Sequence, residues 1–509
     1  MQYVVSSDEM KYYDNYTTNK IGIPSLLLME RAALEMAKVV LEESSKEDEV
    51  VVFVGCGNNG GDALAIGRIL AERGKQVTFY MPGEPSKVSI ETKKQIEILE
   101  NIGFSIFSKL PEKEYDIIID GLFGVGLSRE VTGEYALAIE QMNSLKNKGG
   151  VIFSVDIPSG VCADTGKVLG CAVSADVTVS FEFAKIGHYL YPGKELTGKL
   201  KVCNIGITHK AFVEKNPSFI TADAKDLKKW LPKRAPGGNK GTFGKVLLFA
   251  GNKEMCGAAI LCGKAVLASG AGMLKIITPK ENKETLYKVL PEAMLCVYEN
   301  EPERDKLLAA VSWADVLIAG PGIGKDNIAS EILGILLENR KKTFILDADA
   351  LNLIAENEGL INKVISYDKN KIIMTPHPGE FVRLANITMD AYKSDVKKHV
   401  RNLAERYGCV IVGKDATTIV AEQGIDTMYL NHIGNDGMAV AGSGDVLAGI
   451  IGGLAAQGLT GVQAAKCGVL LHAAAGDKAA ESKSRYGMMT SDILDGLFDI
   501  LGEMEEKRN

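Results

Sequence analysis

Three polar side chains crowd one glycine turn of this chain. In VVVFVGCGNNGGDALAIGRILAERG, Asn58, Asn59 and Asp62 stand among Gly55, Gly57, Gly60 and Gly61. The glycines formally match G-x-G-x-x-G, which lets a pyrophosphate approach backbone N–H groups at a helix start. A turn with only that task has no need of three polar side chains. They offer hydrogen bonds to a ligand or oxygen ligands to a cation. No acidic residue closes the next strand, KQVTFYMPG, where a dinucleotide-binding dehydrogenase would carry one. Two further apolar runs end in polar groups: Asp120 in YDIIIDGLFGVGLSRE, and Asp156 with Ser159 in GVIFSVDIPSGVCADTG. A lone Asp at a strand end is usually a turn former. Three polar strand ends in one sheet point to a site.

A second set lies downstream. In IGNDGMAVAGSGDVLAGIIGGLAAQG, Gly442, Ser443 and Gly444 precede Asp445 and an apolar helix. Small residues at a helix start expose N–H groups to an anion. Asp445 would then stand at the edge of a bound phosphate, able to take a proton from an attacking hydroxyl, although an Asp that merely caps a helix looks the same. CVIVGKDATTIV brings Lys414, Asp415, Ala416, Thr417 and Thr418 to a strand end. They suit phosphates, or simply a hairpin turn; both uses are compatible. DVLIAGPGIG supplies Gly320 to Gly324, TFILDADALN supplies Asp347, Asp349 and Asn352, and KIIMTPHPGEFVRL supplies His377 and Glu380. His377 is one of six His and sits between two prolines, as a ligand or as the cap of a rigid loop. No Walker A pattern occurs, so any phosphate handling rests on the Gly442–Asp445 turn.

These residues need strands to hold them. VVVFVG, DIIIDG, GVIFSVD, KVLLFAG, DVLIAGPG, TFILDAD, KIIMTP and CVIVGKD are short continuous apolar runs, the form of strands buried on both faces. Most precede a helical pattern, which predicts βαβ units and parallel sheets with ligands beyond the strand ends. The helix after the glycine turn is expected from about Gly60 to Gly74. Residues 20–45 read as an amphipathic helix that packs on a core, with a dimer contact as its second use. The rhythm breaks between Ile207 and Lys245, in a polar stretch with three prolines, and a domain boundary is expected near 211–222. The expected architecture is two three-layer α/β domains, 1–212 with a Rossmann-like parallel sheet and 222–509. A net charge of −7 excludes an electrostatic footprint for nucleic acid or an anionic membrane. There is no signal-peptide pattern and no apolar run long enough for a membrane span. The nine Cys include no C-x-x-C pair, which predicts reduced thiols and a cytoplasmic location.

IPSLLLMERAA, GCGNNGGDAL, DGLFGVGLSR and VDIPSGVCADTG, in this order, resemble the NAD(P)H-hydrate epimerase family over most of residues 1–210. The resemblance implies that Asn58, Asn59, Gly60, Gly61, Asp62, Gly124, Val125, Gly126, Leu127, Ser128, Arg129, Glu130 and Asp156 bind the hydrated cofactor. It also implies that Asn59, Asp120 and Ser159 hold potassium, whose hard character suits oxygen donors. Asp156 is the candidate acid/base, because a carboxylate within reach can move a proton at a hydroxyl-bearing ring carbon.

The Gly-x-Gly-Asp turn resembles the ribokinase-like superfamily. With KGTFGKVLLFAG, CGAAILCGKAVLASGAG, GPGIG, DADALN, TPHPGEFVRL and GKDATT it resembles the NAD(P)H-hydrate dehydratase family over about residues 235–500. By that resemblance Ala258, Gly322, His377 and Asp445 bind the hydrate, Lys414 to Thr418 and Gly444 bind the adenine nucleotide, and Asp445 is the base. Ser443 stands where that family commonly has Thr. Asp445 would deprotonate the hydrate's hydroxyl as it attacks the terminal phosphate of ADP or ATP, with Mg²⁺ and the Gly442–Gly444 turn meeting the developing charge. Loss of phosphate restores NAD(P)H and leaves AMP when the donor is ADP. ADP is the expected donor, because the one-chain fusion resembles bacterial members. The expected partners are NADHX, NADPHX and ADP, within a homo-oligomer. The alternative is a small-molecule or vitamin-precursor kinase with an accessory nucleotide-binding domain, which would release a stable phosphorylated product.

Overall fold

The computed structural model describes residues 1–45 and 47–506. The chain divides into two compact units, one from Gln2 to Phe219 and one that begins at Ile220 and takes in Met1.

Among the described residues of the N-terminal unit, seven strands make one parallel sheet. They are β1 (Glu49–Val54), β2 (Gln76–Tyr80), β3 (Ile106–Phe107), β4 (Ile117–Gly121), β5 (Val151–Val155), β6 (Val177–Phe181) and β7 (Lys199–Cys203). Their order is β3-β2-β1-β4-β5-β6-β7. β4 is buried along its whole length and β1 along all but its first residue, as parallel strands covered on both faces must be. Helix α1 (Ser25–Glu42) turns Ala33, Met36, Ala37 and Val40 into the core. Helix α2 (Asn58–Glu72) starts directly after the glycine turn and stops before Gly74, whose φ of 91° ends the helix.

The strand order reverses between β1 and β4, so the loops after them part and leave a crevice. The first helical turn is pressed tightly onto that sheet edge. A Cβ on Gly60 would lie 1.8 Å from the Gly55 carbonyl oxygen. Gly60→Ala is therefore expected to destabilise this unit by about 1–3 kcal/mol, the usual cost of overpacking. Thermal unfolding of the variant checks this; an unchanged transition would mean the turn yields to the added methyl group.

Nine neighbouring strands of the second unit build its sheet: β8 (Lys245–Phe249), β9 (Met273–Pro279), β10 (Met294–Tyr298), β11 (Val316–Ala319), β12 (Thr343–Leu346), β13 (Ile372–Met374), β14 (Val410–Gly413), β15 (Thr418–Glu422) and β16 (Met428–Asn431). Their order is β10-β9-β8-β11-β12-β13-β14-β15-β16. Only the β14–β15 and β15–β16 pairs are antiparallel. Here the order reverses between β8 and β11. Helices α3 (Cys256–Ala268), α4 (Pro378–Ala385), α5 (Ser443–Ala456) and α6 (Gly461–Lys483) follow in the chain. The glycines of α5 allow close approach: a Cβ on Gly449 would sit 2.4 Å from the Cys262 carbonyl oxygen, and one on Gly452 2.3 Å from Ile318 Cδ1. That packing fixes the start of α5, and with it Asp445, over the ends of the central strands. No helix among the described residues is long and apolar enough to cross a membrane.

Candidate active sites

A cavity of about 600 Å³ opens at the β1/β4 crevice of the N-terminal unit. The strand-end loops bring Asn58, Asn59 and Asp62 to it, together with Gly124 to Arg129 and Asp156. Gly60 and Gly61 do not line it; they are buried beneath the turn, Gly61 against Met29. Glu130 is exposed and outside the lining, and Asp120 and Ser159 lie behind it.

Those two buried residues form a tight polar knot. Asp120 Oδ2 accepts from the Ser159 amide at 2.8 Å and from Ser154 Oγ at 2.8 Å, and Asp120 Oδ1 accepts from Ser159 Oγ at 2.5 Å. Burial pushes the Asp120 carboxyl above the usual range, against these bonds. Ser159 Oγ also accepts from the Phe123 amide at 2.9 Å. The next residue, Gly124, faces Asn59, whose Oδ1 lies 3.0 Å from where a Gly124 Cβ would be. Asn59 Nδ2 is buried and has no hydrogen-bond partner among the described residues. An amide, a carboxylate and a hydroxyl thus stand around one loop.

Asp156 has a left-handed backbone, φ 65°, at the end of β5. Its Oδ1 accepts from the Phe181 amide at 3.0 Å and pairs with Lys185 Nζ, a fully buried ammonium. Lys185 also donates to Ser180 Oγ at 2.9 Å and to the Phe181 carbonyl at 3.3 Å. Burial pulls the Lys185 ammonium below the ordinary lysine range, and the adjacent Asp156 opposes that. His188 Nδ1 accepts from the Lys185 amide at 3.0 Å, so its Nε2 carries the hydrogen toward the Asp156 carbonyl, also at 3.0 Å. Burial lowers the His188 pKa to about 3, which keeps the ring neutral. Lys185 and His188 escaped the sequence reading. The available signal was a lysine inside the apolar run FEFAKIGHYL. Asp14, Lys11 and Glu91 also reach the cavity from helices that the motifs did not include.

The second site forms where β8, β11, β12 and β14 end. Gly320, with φ 130°, has no room for a side chain, because a Cβ would be 1.7 Å from the Asp347 carbonyl oxygen. Its loop continues to Gly322, which abuts Ala258 near the start of α3 at 2.9 Å from a Cβ position. Gly324 donates its amide to Asp349 Oδ2 at 2.9 Å. Asp347, 1% exposed, accepts on Oδ1 from Lys414 Nζ and Thr375 Oγ1, both at 2.7 Å. Its Oδ2 is buried and without a hydrogen-bond partner among the described residues. A Cβ on Gly444 would lie 3.1 Å from Lys414 Nζ and 3.7 Å from that oxygen. Gly442, Gly444, Asp445, Lys414 and Asp347 therefore converge from three distant stretches of chain. Asp445 is pushed up to about 7 by burial first and by the charge of Asp347 second, while Lys414 opposes.

Lys414 to Asp415 open the β14–β15 turn, and Thr418 begins the returning strand, so the hairpin use and the site position coexist. Thr417 is buried. His377 caps helix α4: its Nδ1 accepts from the Gly379 amide at 3.0 Å while its own amide donates to Glu380 Oε2 at 2.9 Å. The side chain stays half exposed, and the Lys414 amide bonds the neighbouring Pro376 carbonyl at 2.9 Å, which holds the His377 loop beside the Lys414 turn. Ser443 Oγ lies 3.3 Å from His472 Nε2.

Two α/β units, each with polar residues gathered at the reversal of its strand order, define a two-site enzyme. The models of known families divide the chain in the same way. Residues 25–187 match the YjeF-related protein N-terminus, and residues 246–498 match NAD(P)H-hydrate dehydratase. Bifunctional NAD(P)H-hydrate repair enzymes are similar over nearly the full length. That of Moorella thermoacetica is 33% identical across 99% of this chain and 98% of its own. That of Escherichia coli is 31% identical across 99% and 95%. Among solved structures, a ribokinase-like superfamily protein from Enterococcus faecalis covers 56% of this chain and 96% of its own at 28% identity and a TM-score of 0.50. A hypothetical protein from Streptococcus mutans covers 56% and 99% at 29% identity and a TM-score of 0.51. The chain belongs to the bifunctional NAD(P)H-hydrate repair enzyme family.

Proposed function

We propose that this chain interconverts the two epimers of hydrated NAD(P)H in its N-terminal unit and dehydrates one of them in its second unit. ADP is the phosphoryl donor, and the products are NAD(P)H, AMP and phosphate. The single observation that carries the reading is Asp445: a half-buried carboxyl at the start of α5, set beside Lys414 and next to the small-residue turn. Asp445 takes the proton of the hydrate's hydroxyl as that oxygen attacks the terminal phosphate. The turn residues and Lys414 meet the phosphate charge. Ala258, Gly322 and His377 bound the hydrate's side of the site. Lys414 to Thr418 and Gly444 bound the nucleotide's side. Mg²⁺ bound with the nucleotide would neutralise phosphate charge, and Asp347 Oδ2, which has no hydrogen-bond partner among the described residues, is an oxygen suited to a metal-bound water.

In the N-terminal unit Asn59, Asp120 and Ser159 fit potassium, because all three are oxygen donors around the loop at Gly124 and one carries a negative charge. The ion would hold the crevice loops in place. Asn58, Asp62, Gly124 to Arg129 and Asp156 would contact the hydrate. Exposed Leu27 and Leu34 on α1 support a homo-oligomer, and nine free thiols support a cytoplasmic location. Pairing the two reactions has a chemical reason. Spontaneous hydration gives both epimers, whereas a base and a phosphate fixed on one side of the ring serve one.

The deciding test incubates the enzyme with both NADH-hydrate epimers and ADP or ATP and follows reduced nicotinamide and phosphate. Complete consumption is expected. Consumption of half would remove the epimerase, and a stable phosphorylated product would return the kinase reading. The pH dependence is a further expected outcome. Asp445 must be ionised to act as a base, so the dehydration rate should rise with pH through about 7 and level above it. Asp347→Asn removes a like charge and should move that limb to lower pH. A limb that stays in place would separate Asp347 from Asp445.

A further inference from the structure

Two carboxyls face the N-terminal cavity from unlike surroundings. Asp156 is bound on Oδ1 by Lys185 and the Phe181 amide. Asp62, in the first two turns of α2, lines the same cavity and has no hydrogen-bond partner among the described residues. We propose that Asp62 is the proton donor of the epimerisation and that Asp156, held by Lys185, is its proton acceptor. The inference rests on the epimerase reading of this unit.

The surroundings support the division of roles. Burial, then the charges of Asp156 and Asp14, push the Asp62 carboxyl well above the usual range, and Lys185 opposes only in part. Asp14 is itself raised by burial and by Glu91. Lys11 on the same helix as Asp14 and Arg129 on the opposite loop are the other charges at the cavity. A carboxyl raised by its surroundings, beside one paired with an ammonium, is the arrangement that separates acid from base among like residues.

The step balances without a further reactant. The substrate carries its hydroxyl on a ring carbon bonded to nitrogen. Asp62 gives its proton to that oxygen. The C–O bond breaks, its electron pair leaves with water, and the nitrogen lone pair forms a C=N bond. Water adds to the other face, the C=N pair returns to nitrogen, and Asp156 takes the released proton. Transfer of that proton to Asp62 through solvent resets the pair. One water leaves and one enters.

The test uses the full chain, a single NADH-hydrate epimer and no ADP, with the epimer ratio followed by chromatography. Asp62→Asn should lower kcat about 10²–10⁴-fold, with KM little changed and ADP-dependent dehydration intact. The wild-type rate should fall as pH rises, because Asp62 must carry its proton. In oxygen-18 water each inversion should place solvent oxygen in the hydroxyl; retention of the original oxygen overturns the C–O step. A wild type that epimerises, with an Asp62→Asn variant of the same rate and pH profile, overturns the inference. A wild type that does not epimerise overturns the reading beneath it. Should the variant not fold, the wild-type profile decides: an alkaline limb supports Asp62, and a flat profile overturns it.

Discussion

Asp445→Asn is expected to cut the dehydration kcat by about 10²–10⁴-fold, the usual contribution of a positioned general base. The substitution keeps shape and removes the ability to take a proton. Asp445 stands in the first turn of α5, whose N–H groups favour an anion. Burial and Asp347 nevertheless lift it to about 7, which matches a base at neutral pH. The amide also relieves the repulsion from Asp347, so stability should hold or rise. Epimerisation in the other unit is the internal control. Steady-state kinetics with ADP check the prediction; a loss confined to KM would make Asp445 a binding group and assign the proton elsewhere.

Lys185→Met is expected to destabilise the N-terminal unit by about 3–5 kcal/mol, the cost of leaving one member of a buried ion pair without its partner. Lys185 is wholly buried and the Asp156 side chain is 11% exposed, so solvent screens the pair little. The surrounding bonds add to the cost. Lys185 Nζ also serves Ser180 Oγ and the Phe181 carbonyl. Asp156 meanwhile holds an uncommon φ of 65°, which the local bonds must maintain. Lys185→Met with Asp156→Asn removes both charges and should recover part of the loss. Thermal unfolding of the full chain, with only the N-terminal transition shifting, is the measurement. A single-variant loss below about 1 kcal/mol, the scale of an exposed pair, would mean that the pair is solvated.

The local chemistry of both sites was legible in the sequence. Runs such as VVVFVG, DIIIDG, TFILDAD and CVIVGKD became the inner strands, because burial on both faces demands continuous apolar residues. Parallel strands aim their carboxyl ends one way, so residues after those runs share an edge without further information. The comparisons with known families bear out the repair-enzyme reading.

Tertiary structure alone decided which groups are coupled. Asp347 and Lys414 are 67 residues apart and meet because β12 and β14 flank β13 in the sheet. Lys185 reaches Asp156 because the short strand Ala184–Lys185 is fixed by pairing with Val4 and Val5. In the glycine turn, read as G-x-G-x-x-G, position 60 must be glycine because a Cβ there would meet the Gly55 carbonyl. Asp62 looked in the sequence like one polar residue among three. The burial and the charges of Asp156 and Asp14 that raise it come from elements distant in the chain. Side-chain type and strand-end position are local properties that a sequence displays. Charge state depends on burial and on neighbours brought from afar, so it belongs to the fold.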